Sequence, residues 1–330
     1  HEGIMIIPDP DMVLETGTPF QKALGIDSDI LWDLEVNANR PDAMSVAGVA
    51  RDLAAALQIS FAFPKIDIKE DKEATKSKVS VRIEDKSLCG RFLTRVVKGI
   101  SVGPSPQWLQ NRLVHLGMRP INNVVDISNY VMLELGQPNH TYDMAKVTGA
   151  TLGVRRARNG ELITTLDGAE RELTDIDGVI TDADNQPIGI AGIMGGESTE
   201  ISETTKDIIV EVAWWDPPSI SRSVKRLNLM SEASMRFRRG ADFGDNMERA
   251  VNRVAELLEE CGGISTAGIE ESKGDLPDRS PITVRPEKIN ALLGTDLSAD
   301  TMESHLSSIG FKTTQKKKNL NVIVPTWRWD

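Results

Sequence analysis

Residues 207–213 read DIIVEVA. Strand parity sets Ile209, Glu211 and Ala213 on one face and Ile208, Val210 and Val212 on the other. Glu211 therefore meets apolar neighbours whichever way the strand turns. A buried carboxylate is costly unless it is hydrogen-bonded or paired. Two readings stay open: an ion pair with an arginine nearby in the fold, or a carboxylate that reads a ligand in a pocket.

The strand closes a stretch from Thr151 to Val212 that is mostly β in pattern, with turns at Asp167-Gly168 and Asp177-Gly178. Upstream, VSVRI (79–83) and FLTRVVKGI (92–100) are also strand-like. Two helices follow them. Ser105 and Pro106 suit the N-cap and first helical position, Trp108, Leu109, Leu113 and Leu116 supply one apolar face, and Gly117 ends the helix. The next runs from Val124 to Leu135 and stops at Gly136. Beyond the β stretch, Asp245–Cys261 is amphipathic, with Asp245 and Glu248 as a capping box and Met247, Val251, Val254 and Leu258 as its stripe. Together Val79–Ala267 reads as one large α+β unit.

The flanks are smaller. Pro41–Leu57 places Met44, Val46, Val49, Leu53, Ala56 and Leu57 close to helical spacing. Lys65–Lys78 carries nine charges in fourteen residues and reads as a linker or a solvated edge. Gly274–Pro286, with three prolines, is a second linker. A small module follows: a helix at Glu287–Leu293, another after Ser298, then a hairpin to VIVP (322–325). VNANRPD (36–42) also aligns faintly with VPTWRWD (324–330).

The length of 330 residues suits about two domains at ~150 residues each. With 38 Lys+Arg against 49 Asp+Glu, the net charge of −11 excludes a general basic coat for nucleic acid and leaves room for a local one. Such a local reversal exists: Arg222, Lys225, Arg226, Arg236, Arg238 and Arg239, with Glu232 the only acid between 217 and 239. It is either a solvated, internally paired face or a phosphate contact. Cys89 and Cys261 form no CxxC, which argues against a thiolate zinc site and a disulfide scaffold. No apolar run approaches a membrane span and the first residues are no signal peptide, so a reducing cytoplasm is the expected setting. A start at His1 and a stop within a patterned segment suggest a fragment of something longer.

Besides the strand at 207–213, two segments carry chemistry. GMRPINNVVDISNYVMLELGQPNHTYD (117–143) is dense in polar residues, and Gly136-Gln137-Pro138 shapes the loop before His140. His140 is either a turn histidine or a site residue. AGIMGG (191–196) is a tight turn between packed strands or a place where backbone approaches a ligand. It is neither a dinucleotide fingerprint nor a P-loop. A serine hydrolase lacks its G-x-S-x-G elbow.

NRPDAMSVAGVARDLAAAL (39–57), SPQWLQNRLVHLGMRPINNVVDISNYVMLELGQPNHTYD (105–143), TTLDG (164–168), AGIMGG and RLNLMSEASMRFRRGAD (226–242) closely resemble the β-subunit family of bacterial phenylalanyl-tRNA synthetases. The resemblance implies an α+β architecture: a large mixed α/β editing domain flanked by small α+β modules similar to a DNA-binding fold. It divides the chain into the end of an N-terminal module (1–62), a charged linker (63–78), the editing domain (79–270), a linker (271–281) and a truncated small C-terminal module (282–330). It also makes the two ends relatives of each other.

The implied activity is hydrolysis of tyrosine mistakenly esterified to phenylalanine tRNA, by a positioned water. Carried over position by position, His140, Arg119, Ser128 and Asn129 are the catalytic set. Glu211, Gly192, Gly195, Ser231 and Ala233 bind substrate. Ser128 and Ser231 stand where the family usually has Thr, and the hydroxyl is kept. The backbone around Gly192–Gly196 would serve the developing oxyanion. Asp330 is marked as one magnesium ligand of an incomplete site. Editing itself needs no cofactor. The full synthetase uses ATP and Mg²⁺ and pairs with an α subunit as α2β2, without a membrane. The rival reading is a non-catalytic tRNA-binding or subunit-assembly module.

Overall fold

The computed structural model describes residues 15–23 and 30–329. A short helical turn, α1 (Phe20–Ala23), precedes α2 (Val46–Ala56). Next come β1 (Glu70–Ala74), β2 (Ser80–Ile83), β3 (Cys89–Lys98), α3 (Gln107–His115), α4 (Asn123–Leu135) and β4 (Asn139–Asp143). A run of strands follows: β5 (Thr151–Arg156), β6 (Glu161–Thr164), β7 (Glu170–Leu173), β8 (Gly178–Thr181), β9 (Pro187–Ile190), β10 (Met194–Gly195) and β11 (Ile208–Trp215). Then come α5 (Pro217–Leu227), α6 (Glu232–Phe237), α7 (Asp245–Leu258), β12 (Ile264–Ala267) and β13 (Glu270–Lys273). The last module comprises β14 (Ile282–Val284), α8 (Pro286–Leu293), α9 (Ala299–Ser308), β15 (Lys312–Lys316) and β16 (Asn319–Ile323).

Two sheets organise the centre. One has the order β1-β12-β3-β11-β4, with β13 also paired to β3. The other runs β10-β9-β8-β5-β2. β11 lies between β3 and β4, antiparallel to both. Its Ile208, Val210 and Val212 pack with α4 and α7 in one core, whereas Ile209, Ala213 and Trp215 pack against the second sheet in another. β11 is therefore buried on both sides, which is why its sequence is nearly continuous in apolar residues. The α7 stripe of Met247, Val251, Val254 and Leu258 is fully buried, as its spacing predicts.

Several local expectations are corrected. Ser105 does not cap α3; Pro106 holds that position, and the Ser105 hydroxyl donates to Asp126 Oδ2 at 2.5 Å. Only Leu109 and Leu113 of the α3 face are buried, with Trp108 and Leu116 exposed. The N-cap of α7 is Gly244, which has no side chain to cap with; Asp245 is already helical and Glu248 pairs with Arg91. Gly178 opens β8 instead of turning, and buried Asp177 receives the Thr174 N–H at 2.9 Å. Val46 and Leu53 of α2, and Leu57 just after it, are exposed; the helix buries Gly48 and Ala54. The charged segment before residue 79 contributes β1 to the main sheet's edge, where Thr75 Oγ1 lies 2.6 Å from Thr266 Oγ1. Residues 271–273 likewise belong to β13, paired to β3, and are not linker.

Candidate functional site

The strand register places His140 of β4 directly opposite Glu211 of β11. Residues two apart on a strand share a face, so Tyr142 stands beside His140. Their rings meet edge to face, 4.6 Å between centroids. The Tyr142 hydroxyl donates to Glu211 Oε2. Glu211 is 5% exposed. Burial pushes its carboxyl up to about 7, against the lowering effect of the Tyr142 bond. The ion-pair reading of Glu211 is thereby corrected: its partner is a phenol. The arginines of β3 are engaged elsewhere, Arg91 with Glu248 and Glu271 and Arg95 with Glu70.

His140 is half-buried, and burial lowers its imidazole to about 4. The ring is neutral at pH 7, and among the described residues its nitrogens accept or donate no hydrogen bond. A neutral, unengaged imidazole can take a proton or orient a water.

Glycine is required at two positions below it. A Cβ on Gly195 would lie 2.5 Å from His140 Cε1 and Nε2. Gly192 has φ +66° and faces Trp215 and Ile220, whose atoms a Cβ would meet at 2.8 and 2.9 Å. Ser231 ties this turn to α6. Its hydroxyl donates to Ile193 O at 2.7 Å and accepts the Ser234 N–H at 3.1 Å as the helix cap. Ala233 follows on the same helix. His140, Glu211, Gly192, Gly195 and Ala233 line a common cavity of about 70 Å³, together with Asn139, Tyr142, Met194, Trp215 and Phe237.

The remaining expected residues fall outside that cavity. Ser128 donates to Asn139 O at 3.3 Å, and Asn139 Nδ2 returns a bond to Ser128 O at 3.0 Å. Ser128 thus braces the residue before His140 without lining the space. Asn129 is half-buried on α4 and does not line it either. Arg119 is exposed in the α3–α4 loop and is not brought to the site. The polar density around it has a structural cause. Asn122 caps α4, Asn123 holds Ser101 O and Gly103 N, and buried Asp126 accepts from Ser105 and Ile121. In the basic run, Arg226 pairs with Asp177 and Arg236 with Glu232, so these two serve internal contacts. Asp330 lies outside the described residues. Among the described residues no group of three His, Cys, Asp or Glu is arranged to hold a metal, and no helix is long and apolar enough to cross a membrane.

Tyr142, Trp215 and Phe237 were not singled out by sequence. Tyr142 could have been, since strand parity puts it on the face of His140.

Residues 88–263 match the B3/4 domain model, and residues 282–330 match the tRNA synthetase B5 domain model. The chain belongs to the phenylalanine–tRNA ligase β-subunit family, through these two domains. The phenylalanine–tRNA ligase β subunit of Geobacter sulfurreducens is 43% identical over all of this chain and 41% of that protein. The corresponding subunit of Latilactobacillus sakei is 39% identical over all of this chain and 40% of its own length. The chain thus spans about two fifths of the length of these family members. An N-terminal fragment of the Pyrococcus horikoshii phenylalanyl-tRNA synthetase β subunit is a more distant likeness: 17% identity, 89% of this chain, 80% of that one, TM-score 0.41. The cavity described above is built within the B3/4 match, from β4, β8, β9, β10, β11 and α6.

Proposed function

We propose that the cavity is an editing site that hydrolyses the ester of tyrosine wrongly attached to phenylalanine tRNA. The observation that carries this reading is the Glu211–His140 pair: a buried carboxylate with no cation, opposite an unengaged neutral imidazole, in one cavity. An aminoacyl ester is already activated, so water cleaves it once water and carbonyl are held together. His140 orients that water and receives its proton. Among N–H groups of the glycine turn, those of Ile193 and Gly196 are already given to Ile190 and Ile188. The Gly192 N–H is the first choice for the developing oxyanion.

Selectivity follows from burial. An apolar synthetic pocket rejects an added hydroxyl poorly. Glu211 inverts the test, because phenylalanine leaves its carboxylate without a new partner whereas tyrosine supplies a donor. The wider role we infer is in the cytoplasm, in charging phenylalanine tRNA with an α subunit that uses ATP and Mg²⁺; no step of ester hydrolysis passes through either.

The test is to incubate the chain with tyrosine-charged and phenylalanine-charged tRNA and to follow the free amino acids. Tyrosine is expected to be released and phenylalanine spared. Absence of release with retained tRNA binding would instead make the chain a non-catalytic binding or assembly module.

A further inference from the structure

Glu211 has two oxygens, and the protein engages one of them. Oε2 accepts the Tyr142 hydroxyl, while Oε1 accepts nothing from the described residues. Tyr142 is itself fully buried, wedged between His140 and the second sheet. We propose that Tyr142 is a positioning residue of the editing site: its hydroxyl pins Glu211 and keeps Oε1 turned to the substrate phenol. This rests on the editing reading above.

Two consequences follow. The pinned carboxyl cannot swing away to bond elsewhere, so one oxygen stays available as an acceptor. The Tyr142 bond also favours the ionised form, the better acceptor for a phenol. The titratable groups facing Glu211 are Tyr142 and His140 on β4 and Cys89 on β3. The strands of the second sheet bring Ile180, Gly189, Ile190, Met194 and Gly195 to the cavity, none of them titratable. Of these groups only Tyr142 donates to Glu211.

The test compares pH profiles of tyrosyl-tRNA hydrolysis for the wild type and Tyr142→Phe. Loss of the hydroxyl should move the acidic limb of kcat/KM upward by about one pH unit. The tyrosine-over-phenylalanine preference should fall roughly tenfold at pH 7 and recover at pH 9. A loss of packing alone would lower the rate equally at every pH, and an unmoved limb with an unchanged preference overturns the proposal. If the wild type hydrolyses nothing, the editing reading fails first, and the second measurement still judges the bond. The chain has two tyrosines, Tyr130 and Tyr142, so fluorotyrosine labelling gives two ¹⁹F signals, assigned with Tyr130→Phe. The Tyr142 signal should titrate with Glu211 near pH 7 and lose that step in Glu211→Gln. A Tyr142 signal blind to Glu211 overturns the proposal, whether or not Tyr142→Phe folds.

Discussion

The two faces of β11 are built from the same few residues and solve different problems. Toward α4 and α7 the strand presents Ile208, Val210 and Val212, all fully buried against other apolar side chains. Toward the second sheet it presents Ile209, Glu211 and Ala213. The first face contributes stability by burial alone, on the order of 1.5–3 kcal/mol for each large side chain. The second gives up one such contribution to hold a carboxyl out of water. A protein retains a cost of that kind where the polar group has a task, and the cavity beside Glu211 identifies where the task lies.

The helical face should respond to substitution through stability only. Leu258→Ala, on the α7 stripe and fully buried, is expected to cost about 2–5 kcal/mol. Urea denaturation should show a lower midpoint with an unaltered slope, and the folded fraction should keep its preference between tyrosine and phenylalanine esters. A changed preference would mean that the two faces are coupled.

The cavity face should respond in the opposite way. His140→Ala removes the group proposed to order water and is expected to slow tyrosyl-tRNA hydrolysis by about 10²–10³. His140 is half-buried and its imidazole makes no hydrogen bond among the described residues, so the melting temperature should change little. A folded His140→Ala protein with normal rates removes this residue from the chemistry.

This contrast also explains what could be read in advance. Period and parity are properties of the chain alone, so the α7 stripe, the strand read at 207–213 and the faces of Glu211 were legible. Partnership is a property of the fold. Nothing near Glu211 in sequence says that Tyr142, 69 positions earlier, supplies its hydrogen bond. The polar block at 117–143 misled for the same reason: Asn122, Asn123 and Asp126 look like site chemistry but satisfy backbone and loop. Of the two readings of the charged segment before residue 79, the edge holds and the linker does not, because an edge strand needs only one covered face. Of the expected site, His140, Glu211, Gly192, Gly195 and Ala233 converge on one cavity, whereas Ser128 and Ser231 act on its walls.

A third measurement separates the cavity's two titrating groups. Glu211 moves from an ordinary 4.5 to about 7 in the folded chain. The native state therefore holds the extra proton between these values, and its stability declines as pH rises through that window. The decline amounts to roughly 3 kcal/mol by pH 8. His140, lowered from 6.5 to about 4, has the opposite slope: stability is gained as pH rises from 4 to 6.5. Glu211→Gln keeps an acceptor for Tyr142 and removes one slope. Its urea midpoint should exceed that of the wild type at pH 8, and its stability should rise from pH 4 to 6.5 and then level off. Equal stability of the two proteins at pH 8 would show that burial does not strain this carboxyl.

The smallest effect is expected at Arg119. It is exposed, in the loop between α3 and α4, with no place on the cavity wall. Exposed substitutions of this kind usually change stability by no more than about 0.5 kcal/mol. If Arg119 serves the reaction, it does so by meeting a phosphate of the tRNA outside the cavity, as a guanidinium readily does. Arg119→Ala should then raise KM for charged tRNA, more so at low salt, where the lost phosphate contact counts most, and leave kcat unchanged. Single-turnover hydrolysis at saturating charged tRNA isolates the second quantity. A fall in that rate comparable to the His140→Ala loss would place Arg119 at the reacting ester and would require the α3–α4 loop to close over the cavity when tRNA binds.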